Sequence, residues 1–273
     1  VISVHSAACR VAIEKDIVSC TFRGRLRLDS TRVYAGDIVT VSDVSDGCII
    51  DGITDRRNLL LRPPVANVEQ AIIVTAITRP PVDLLYIDRI LVELEFQEID
   101  AVICINKSDL EDPIEIEKVR SVYQSAGYPC VVTSAVTGLG LDALAGLLDG
   151  KVNVLAGQSG AGKSKLISSL MGVSLLTGEL SDNVRGRHTT KWVKLFRTSG
   201  DGYVADTPGF SKIDLTDVEP HELGYLYPEI ERHASTCHFP RCLHRTEDRC
   251  RVKDALSGGE ISAERYSNYL ALL

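Results

Sequence analysis

The octapeptide Gly157-Gln158-Ser159-Gly160-Ala161-Gly162-Lys163-Ser164 constrains this chain most, because it dictates a loop conformation and the elements on either side of it. It has the GxxxxGK[ST] form. The apolar run Val152-Asn153-Val154-Leu155 stands before it and Leu166-Ile167-Ser168-Ser169-Leu170 follows, so a strand runs in and a helix runs out. Glycines let the backbone wrap round a phosphate with its N–H groups inward, and the helix start adds positive potential. In such a loop Lys163 neutralises the β and γ phosphates and serves the chemistry, Ser164 holds Mg²⁺, and Lys165 adjoins the bound nucleotide. The competing reading is a glycine-rich helix start without a ligand.

Asn106-Lys107-Ser108-Asp109 indicates which nucleotide. It follows the strand pattern Ala101-Val102-Ile103-Cys104-Ile105 and has the N-K-x-D form. A carboxylate only accepts hydrogen bonds, so Asp109 suits the two adjacent donors on the guanine edge, a pair adenine lacks. A site built for those bonds rejects a base without them by a large factor. Asn106 and Lys107 would brace the loop and cover the ring. One strand later, Thr133-Ser134-Ala135 puts a backbone N–H where it can reach the guanine carbonyl oxygen. Asp206-Thr207-Pro208-Gly209, of the D-x-x-G form, ends the strand Tyr203-Val204-Ala205. There Asp206 would reach Mg²⁺ through water and the Gly209 N–H would sense the γ phosphate. Between them lies Arg185-Gly186-Arg187-His188-Thr189-Thr190, a polar loop without apolar periodicity. Thr190, or its neighbour Thr189, can supply the second protein ligand to Mg²⁺, as a nucleotide-ordered switch segment does.

The order of these motifs is itself informative. In familiar GTPases the P-loop comes first and the base-reading motifs last; here N-K-x-D and Ser134-Ala135 precede the P-loop, joined to it by the helical stretch 141–148. The same sheet can be built this way when the original ends lie close and are bridged. The chain is expected to leave the permuted core just after Asp206-Thr207-Pro208-Gly209, which attaches the γ-phosphate sensor to whatever follows.

The 273 residues divide by pattern into three parts. Residues 1–66 carry short strands punctuated by Gly and Asp, as in a small β-barrel, with an oligonucleotide-binding (OB) type among the candidates. Arg62-Pro63-Pro64 reads as a boundary. Residues 67–219 alternate buried apolar strands with helices, the pattern of an α/β domain with a mostly parallel sheet. Residues 220–273 are helical around a cysteine cluster. No apolar run approaches the ~20 residues needed to cross a bilayer. The N-terminus, Val1-Ile2-Ser3-Val4-His5, lacks the charged start and long apolar stretch of a secretory signal; it also lacks an initiator methionine, consistent with a trimmed or missing segment. A cytoplasmic protein is expected. Cys9, Cys20, Cys48, Cys104 and Cys130 lie among apolar residues and read as buried reduced thiols.

Cys237-x4-Cys242-x-His244-x5-Cys250 offers three thiolates and one imidazole within fourteen residues. A full protein ligand set with no open position indicates structural zinc. His238 is a rival ligand, but it adjoins Cys237 and the two could hardly serve one ion together. Without a Cys-x-x-Cys pair, a redox role is disfavoured.

The permuted order, with a small β module before and a Cys/His module after, resembles the RsgA family of GTPases dependent on the small ribosomal subunit. The resemblance covers essentially the whole chain. It implies an OB-fold N-domain, a permuted GTPase core and a zinc-binding C-domain, acting as a monomer on GTP and GDP in late maturation of the small subunit, with 16S rRNA as partner and hydrolysis stimulated by the particle. The net charge of −7 argues against coating nucleic acid by charge alone. Two local basic groups remain: Arg23, Arg25, Arg27 and Arg32, and a net +3 over residues 237–253. Such groups suit phosphate contacts, though solvated surface charge is the competing reading.

Many GTPases place a glutamine just after D-x-x-G to orient the attacking water. This chain has Phe210 there, so intrinsic hydrolysis should be slow. His188 is the candidate in cis for positioning the water, with Arg185 and Arg187 as lesser candidates for stabilising charge. Two other classes stay open: a small-molecule kinase, for which N-K-x-D has no use, and a GTP-dependent scaffold or RNA-binding module with negligible hydrolysis.

Overall fold

Alternation of apolar and polar residues near the N-terminus produces strands with one buried face. In the computed structural model, which describes residues 1–5, 8–14, 16–23, 32–44, 47–61, 63–171, 193–210 (backbone alone for 206–210) and 218–273, these are β1 (Ser3–Val4), β2 (Ala8–Ile13), β3 (Asp16–Phe22), β4 (Val39–Val44) and β5 (Gly47–Ile53). Their order is β1-β2-β3-β5-β4. β5 runs parallel to β3 and antiparallel to β4, an OB-like arrangement around a core of Cys9, Val11, Cys20, Val33, Cys48 and Ile50. β6 (Leu59–Leu61) and β7 (Pro64–Ala66) form a small hairpin, so Pro63 and Pro64 sit at a turn and the strand that leaves it.

One expectation about cysteines fails here. The parallel register of β3 and β5 sets Cys20 opposite Cys48 with Cα atoms 4.5 Å apart, and the two form a disulfide. Cys9, Cys104 and Cys130 are free thiols. Register, which decides such a pairing, cannot be seen in cysteine spacing.

The chain forms two compact units. The first comprises Val1–Gln70, Ala145–Leu155 and Ile167–Phe210, and the second Ala71–Leu144, Ala156–Leu166 and Ser211–Leu273. In the first, the N-terminal sheet continues beyond β1 into β12 (Lys194–Arg197), β13 (Tyr203–Phe210) and β11 (Val152–Ala156). β1 and β13 both run antiparallel to β12. This hairpin departs from the mostly parallel expectation, because the turn between β12 and β13 is too short for a crossover.

In the second unit β8 (Gln70–Thr75), β9 (Asp100–Ile105) and β10 (Cys130–Val132) lie in the order β10-β9-β8, with β9 and β10 parallel. Every residue of β8 is buried, as a strand covered on both faces requires. α1 (Leu84–Phe96) starts where the Asp83 carboxylate accepts the Tyr86 N–H, and buries Ile87, Ile90, Leu91 and Leu94. α2 (Pro113–Ala126) starts on Asp112 with Pro113 in its first turn and stops at Gly127, whose φ of 109° suits glycine. The C-terminal helices α5 (Pro228–Ala234), α6 (Arg251–Ser257) and α7 (Ala263–Leu272) share a core of Tyr227, Ile230, Cys250, Val252, Ala255, Ile261 and Tyr269 with Val92 of α1.

The permuted topology places its joint between α3 (Leu141–Leu148) and β11, and two buried amides close it. Asn153 Nδ2 donates to the carbonyls of Leu148, Lys151 and Tyr203 at 2.9, 3.0 and 3.1 Å. Gln70 Nε2 donates to Leu147 O at 2.8 Å and to Asn153 Oδ1 at 2.9 Å. Two of the carbonyls that the end of α3 leaves without helical partners, those of Leu147 and Leu148, thereby gain side-chain donors. A Cβ at Gly202 would collide with Leu148 O, so the β12–β13 turn needs glycine against this joint. Replacing Asn153 with leucine removes this amide donor from three carbonyls, of which Lys151 O and Leu148 O keep a backbone N–H, and strips Gln70 of a buried partner. The substitution is expected to destabilise the chain by about 3 kcal/mol, lowering the urea midpoint by about 1 M or more. An unchanged midpoint would show that the joint does not depend on this amide.

Candidate functional site

The P-loop leaves β11 and turns into α4 (Lys163–Leu170), as the flanking patterns require. Gly157, Gly160 and Gly162 take φ values of 123°, 83° and 98°, where glycine is the residue that fits. Two approaches leave no room for a side chain: a Cβ at Gly157 would strike the Val74 carbonyl oxygen, and one at Gly162 would lie 2.5 Å from Asn106 Nδ2. Lys163 is partly buried, and its Nζ donates to Gly157 O at 2.6 Å and Gln158 O at 2.7 Å. Burial lowers its pKa, so an anion in the loop would restore preference for the charged ammonium. Ala161 is fully buried, while Ser159, Ser164 and Lys165 are exposed at the rim.

Asn106 is the centre of the site. It is 1% exposed; Nδ2 donates to Ala161 O of the P-loop at 3.0 Å, and Oδ1 accepts from Thr133 Oγ1 at 3.2 Å and the Ala135 N–H at 3.3 Å. One side chain thus ties together the three loops that the sequence assigns to phosphate, base edge and base carbonyl. Lys107, in the left-handed region at φ 62°, reaches back to donate to Gly160 O at 2.7 Å and Arg79 O at 2.6 Å. Asp109 is exposed, and Ser134 Oγ holds one of its carboxylate oxygens at 2.5 Å. The same Ser134 oxygen accepts the Val136 and Thr137 N–H groups at 3.2 and 3.1 Å. Ser108 donates its N–H to Thr133 O at 3.1 Å. Asp109, Lys107 and the P-loop therefore form one braced unit.

Asp206 and Gly209 lie on the backbone of β13, which runs past the point where the sequence pattern ended it. His188, Thr189 and Thr190 lie outside the described residues, as do Arg25 and Arg27. Arg23 pairs with Asp51 at 2.9 Å, and Arg32 lies over the Tyr34 ring.

Sequence reasoning missed the turn after β8. Glu111 Oε1 accepts the Thr78 N–H and hydroxyl at 3.0 and 2.9 Å, which fixes the turn that presents Arg79 O to Lys107. The Thr78-Arg79-Pro80-Pro81 run was the available signal, since turn residues directly after a buried strand mark an ordered loop.

The four predicted metal ligands also converge. Sγ of Cys237, Cys242 and Cys250 and a ring nitrogen of His244 all lie within 4.8 Å of one another. Cys237 Sγ is 3.9 Å from Cys250 Sγ, and His244 Nδ1 is 3.6 and 3.4 Å from these two sulfurs. Metal–sulfur bonds of about 2.3 Å and metal–nitrogen bonds of about 2.0 Å at tetrahedral angles require edges of about 3.8 and 3.5 Å, so these three edges fit a tetrahedral ion. Burial lowers the His244 pKa and favours the neutral imidazole, while burial also pushes the Cys242 thiol up to about 12. A cation supplies what a buried thiolate lacks. The ligand loop is held from within by Glu247, whose carboxylate accepts the N–H groups of Leu243, Arg245 and Thr246. His238 lies edge-on to Phe239 instead of in the ligand cluster.

Thr133 tests how far the nucleotide loops depend on their braces. Its buried hydroxyl serves both Asn106 and Cys104, and Thr133→Val keeps the shape while removing it. A loss of about 1–2 kcal/mol in unfolding free energy is expected; a change within a few tenths would show that Asn106 is held by its backbone partners alone.

Known proteins resemble this chain in sequence and in fold. The sequence model of the RsgA GTPase family matches residues 53–216. The small ribosomal subunit biogenesis GTPase RsgA of Caldanaerobacter subterraneus subsp. tengcongensis is 43% identical over 267 residues, 96% of this chain and 90% of that protein. Its counterpart from Thermotoga maritima is 39% identical, covering 100% of this chain and 94% of the relative. Among solved structures, YjeQ from Thermotoga maritima superposes with a TM-score of 0.86 at 37% identity, covering 100% of this chain and 95% of that one. YloQ, described as a circularly permuted GTPase, superposes at 0.83 with 33% identity, covering 99% and 91%. With its motifs in permuted order, an OB-like sheet before them and a Cys₃His cluster after them, this chain belongs to the RsgA GTPase family.

Proposed function

We propose that the chain hydrolyses GTP to GDP and phosphate while bound to the small ribosomal subunit, assisting late maturation of that particle. The observation that carries the nucleotide part of this reading is the Asn106 side chain bonded at once to Ala161 and Ala135, because that brace joins the loop of phosphate-binding sequence to the loops of base-reading sequence. In this reading Gly157 to Ser164 wrap the phosphates, and Lys163 leaves its two loop carbonyls for the β and γ oxygens. Asp109 accepts from the guanine edge, Lys107 covers the ring, and the Ala135 N–H reaches the guanine carbonyl. Ser164, Asp206 and Thr190 or Thr189 would hold Mg²⁺, which neutralises charge developing on the transferred phosphoryl group. Cys237, Cys242, His244 and Cys250 would hold one structural zinc ion.

Three working modules follow: an OB-type module over 1–66, the permuted GTPase domain over 67–219, and the zinc module over 220–273. The first and third would engage 16S rRNA, the third through Arg241, Arg245, Arg249, Arg251 and Lys253. Among the described residues no helix is long and apolar enough to cross a membrane, and we place the chain in the cytoplasm as a monomer. Phe210 stands where a water-orienting glutamine is common, so His188 is assigned to position the attacking water.

Steady-state GTP hydrolysis by the purified chain tests this, with small subunits added and with large subunits and ATP as controls. Slow turnover alone and strong stimulation by small subunits only are expected, and His188→Ala should lower the stimulated rate about a hundred-fold. GTP turnover indifferent to small subunits would contradict the ribosomal role. Full stimulation of His188→Ala would move the water-positioning role to another residue.

A further inference from the structure

A buried cation lies outside both sites and takes no part in the chemistry above. Arg265, on α7, is 1% exposed. Its Nε and Nη2 donate to the two carboxylate oxygens of Glu229 on α5 at 2.6 and 3.2 Å, and Nη1 donates to Asp88 Oδ1 on α1 at 2.6 Å. Asn268, three residues along the same helix, donates to Asp88 Oδ2 at 2.8 Å. The guanidinium carbon lies 4.4, 5.5 and 5.7 Å from the ring centres of Tyr227, Tyr128 and Tyr123. Only arginine combines a forked set of donors with stacking on aromatic faces. Burial raises the Asp88 pKa while Arg265 opposes the rise. An apolar cluster would stabilise this place at least as well, so fixing geometry is the better use for the charges.

The contacts of α7 identify what is fixed. Tyr266 and Tyr269 flank Arg265 and Asn268 on that helix, and their hydroxyls donate to His244 O at 2.5 Å and Leu243 O at 2.8 Å in the Cys/His loop. On the other side, Asp88 belongs to α1, which leads through β9 into Asn106. Tyr123 belongs to α2, which leaves the same loop soon after Asp109; its hydroxyl donates to Leu84 O of α1 at 3.3 Å, and its ring faces the Arg265 guanidinium. Arg232 of α5 caps the end of α2, with Nη2 2.6 Å from Ala126 O. The C-terminal helices therefore grip both helices that flank the guanine-reading loop, and α7 grips the metal loop as well.

We infer that α7 couples occupancy of the Cys/His site to guanine-nucleotide affinity, with Arg265 as the positioning residue acting through Asp88. A bound ion orders the 237–250 loop, the carbonyls of residues 243 and 244 hold α7 in place, and Arg265 with Asn268 holds α1 and, through Tyr123, α2. Nucleotide binding to loops already ordered in this way costs less conformational entropy. Linkage makes the effect reciprocal: nucleotide must strengthen metal retention by the same factor. The inference rests on the nucleotide and zinc assignments made above.

The test uses the full chain, a fluorescent N-methylanthraniloyl-GDP and zinc. The dissociation constant is measured on zinc-loaded protein and after chelation, with metal content determined on the same samples, for the wild type and for Asp88→Asn. That variant keeps an acceptor for Arg265 while weakening the charged grip; should it fail to fold, Asn268→Ala serves in its place. Chelation should weaken GDP binding about five-fold or more in the wild type and less than about two-fold in the variant. GDP should slow zinc transfer to a chromophoric chelator in the wild type alone. Equal affinity of loaded and stripped wild type, or the full chelation penalty in the variant, would overturn the coupling while leaving both sites standing. Zinc-loaded protein that binds no GDP would overturn the coupling and the nucleotide assignment together.

Discussion

A single carboxamide, that of Asn106, holds the nucleotide region together. A carboxamide both donates and accepts, so this side chain can satisfy the Ala161 carbonyl and the Ala135 N–H in one place. Neither a carboxylate nor a hydroxyl of similar reach offers that combination at fixed geometry. The consequences spread outward. Gly162 must be glycine because Asn106 Nδ2 occupies the space of its Cβ, and Thr133 must carry a hydroxyl to share the Asn106 oxygen with the Ala135 N–H. Lys107 follows Asn106 in a left-handed conformation, which turns its ammonium back onto the P-loop carbonyl of Gly160. Ser134 holds Asp109 with its hydroxyl while accepting two backbone donors from its own turn.

Circular permutation leaves these contacts intact, because none of them depends on which motif comes first in the chain. What it demands is a sound joint where helix α3 now runs directly into strand β11. The Gln70 and Asn153 amides meet that demand by giving donors to the carbonyls that end α3. The glycines of the β12–β13 turn let the backbone pass close by. Rearranged connectivity thus has a local chemical signature: buried amides where an ordinary GTPase would have free chain ends.

Much of this was legible in the sequence because it rests on short-range pattern. The P-loop glycines, the Asn106–Asp109 motif, the Ser134-Ala135 pair and the Cys₃His spacing each specify a local geometry, and the structure brings the described members of each set together. Strands such as β8 and β9 announced themselves as unbroken apolar runs. The remainder depends on partners far away in the chain. The Cys20–Cys48 bond follows from strand register, and Glu111 matters only because Thr78 lies across from it. The addition of β1 to β12 joins residues nearly two hundred positions apart. Arg265 looks in the sequence like one more charge on an amphipathic C-terminal helix, yet it is among the most buried side chains of the protein, held there by Asp88 and Glu229.

In the proposed function the braced loops around Asn106 read a guanine base through Asp109. Equilibrium binding of GDP and xanthosine diphosphate to the wild type and to Asp109→Asn tests it most directly. Guanine presents a donor where xanthine presents a carbonyl oxygen, and an asparagine amide can donate where the aspartate could only accept. The wild type should prefer GDP by at least about a hundred-fold, and Asp109→Asn should reverse the order. An Asp109→Asn protein that binds GDP as the wild type does, still ahead of xanthosine diphosphate, would mean that Asp109 does not touch the base.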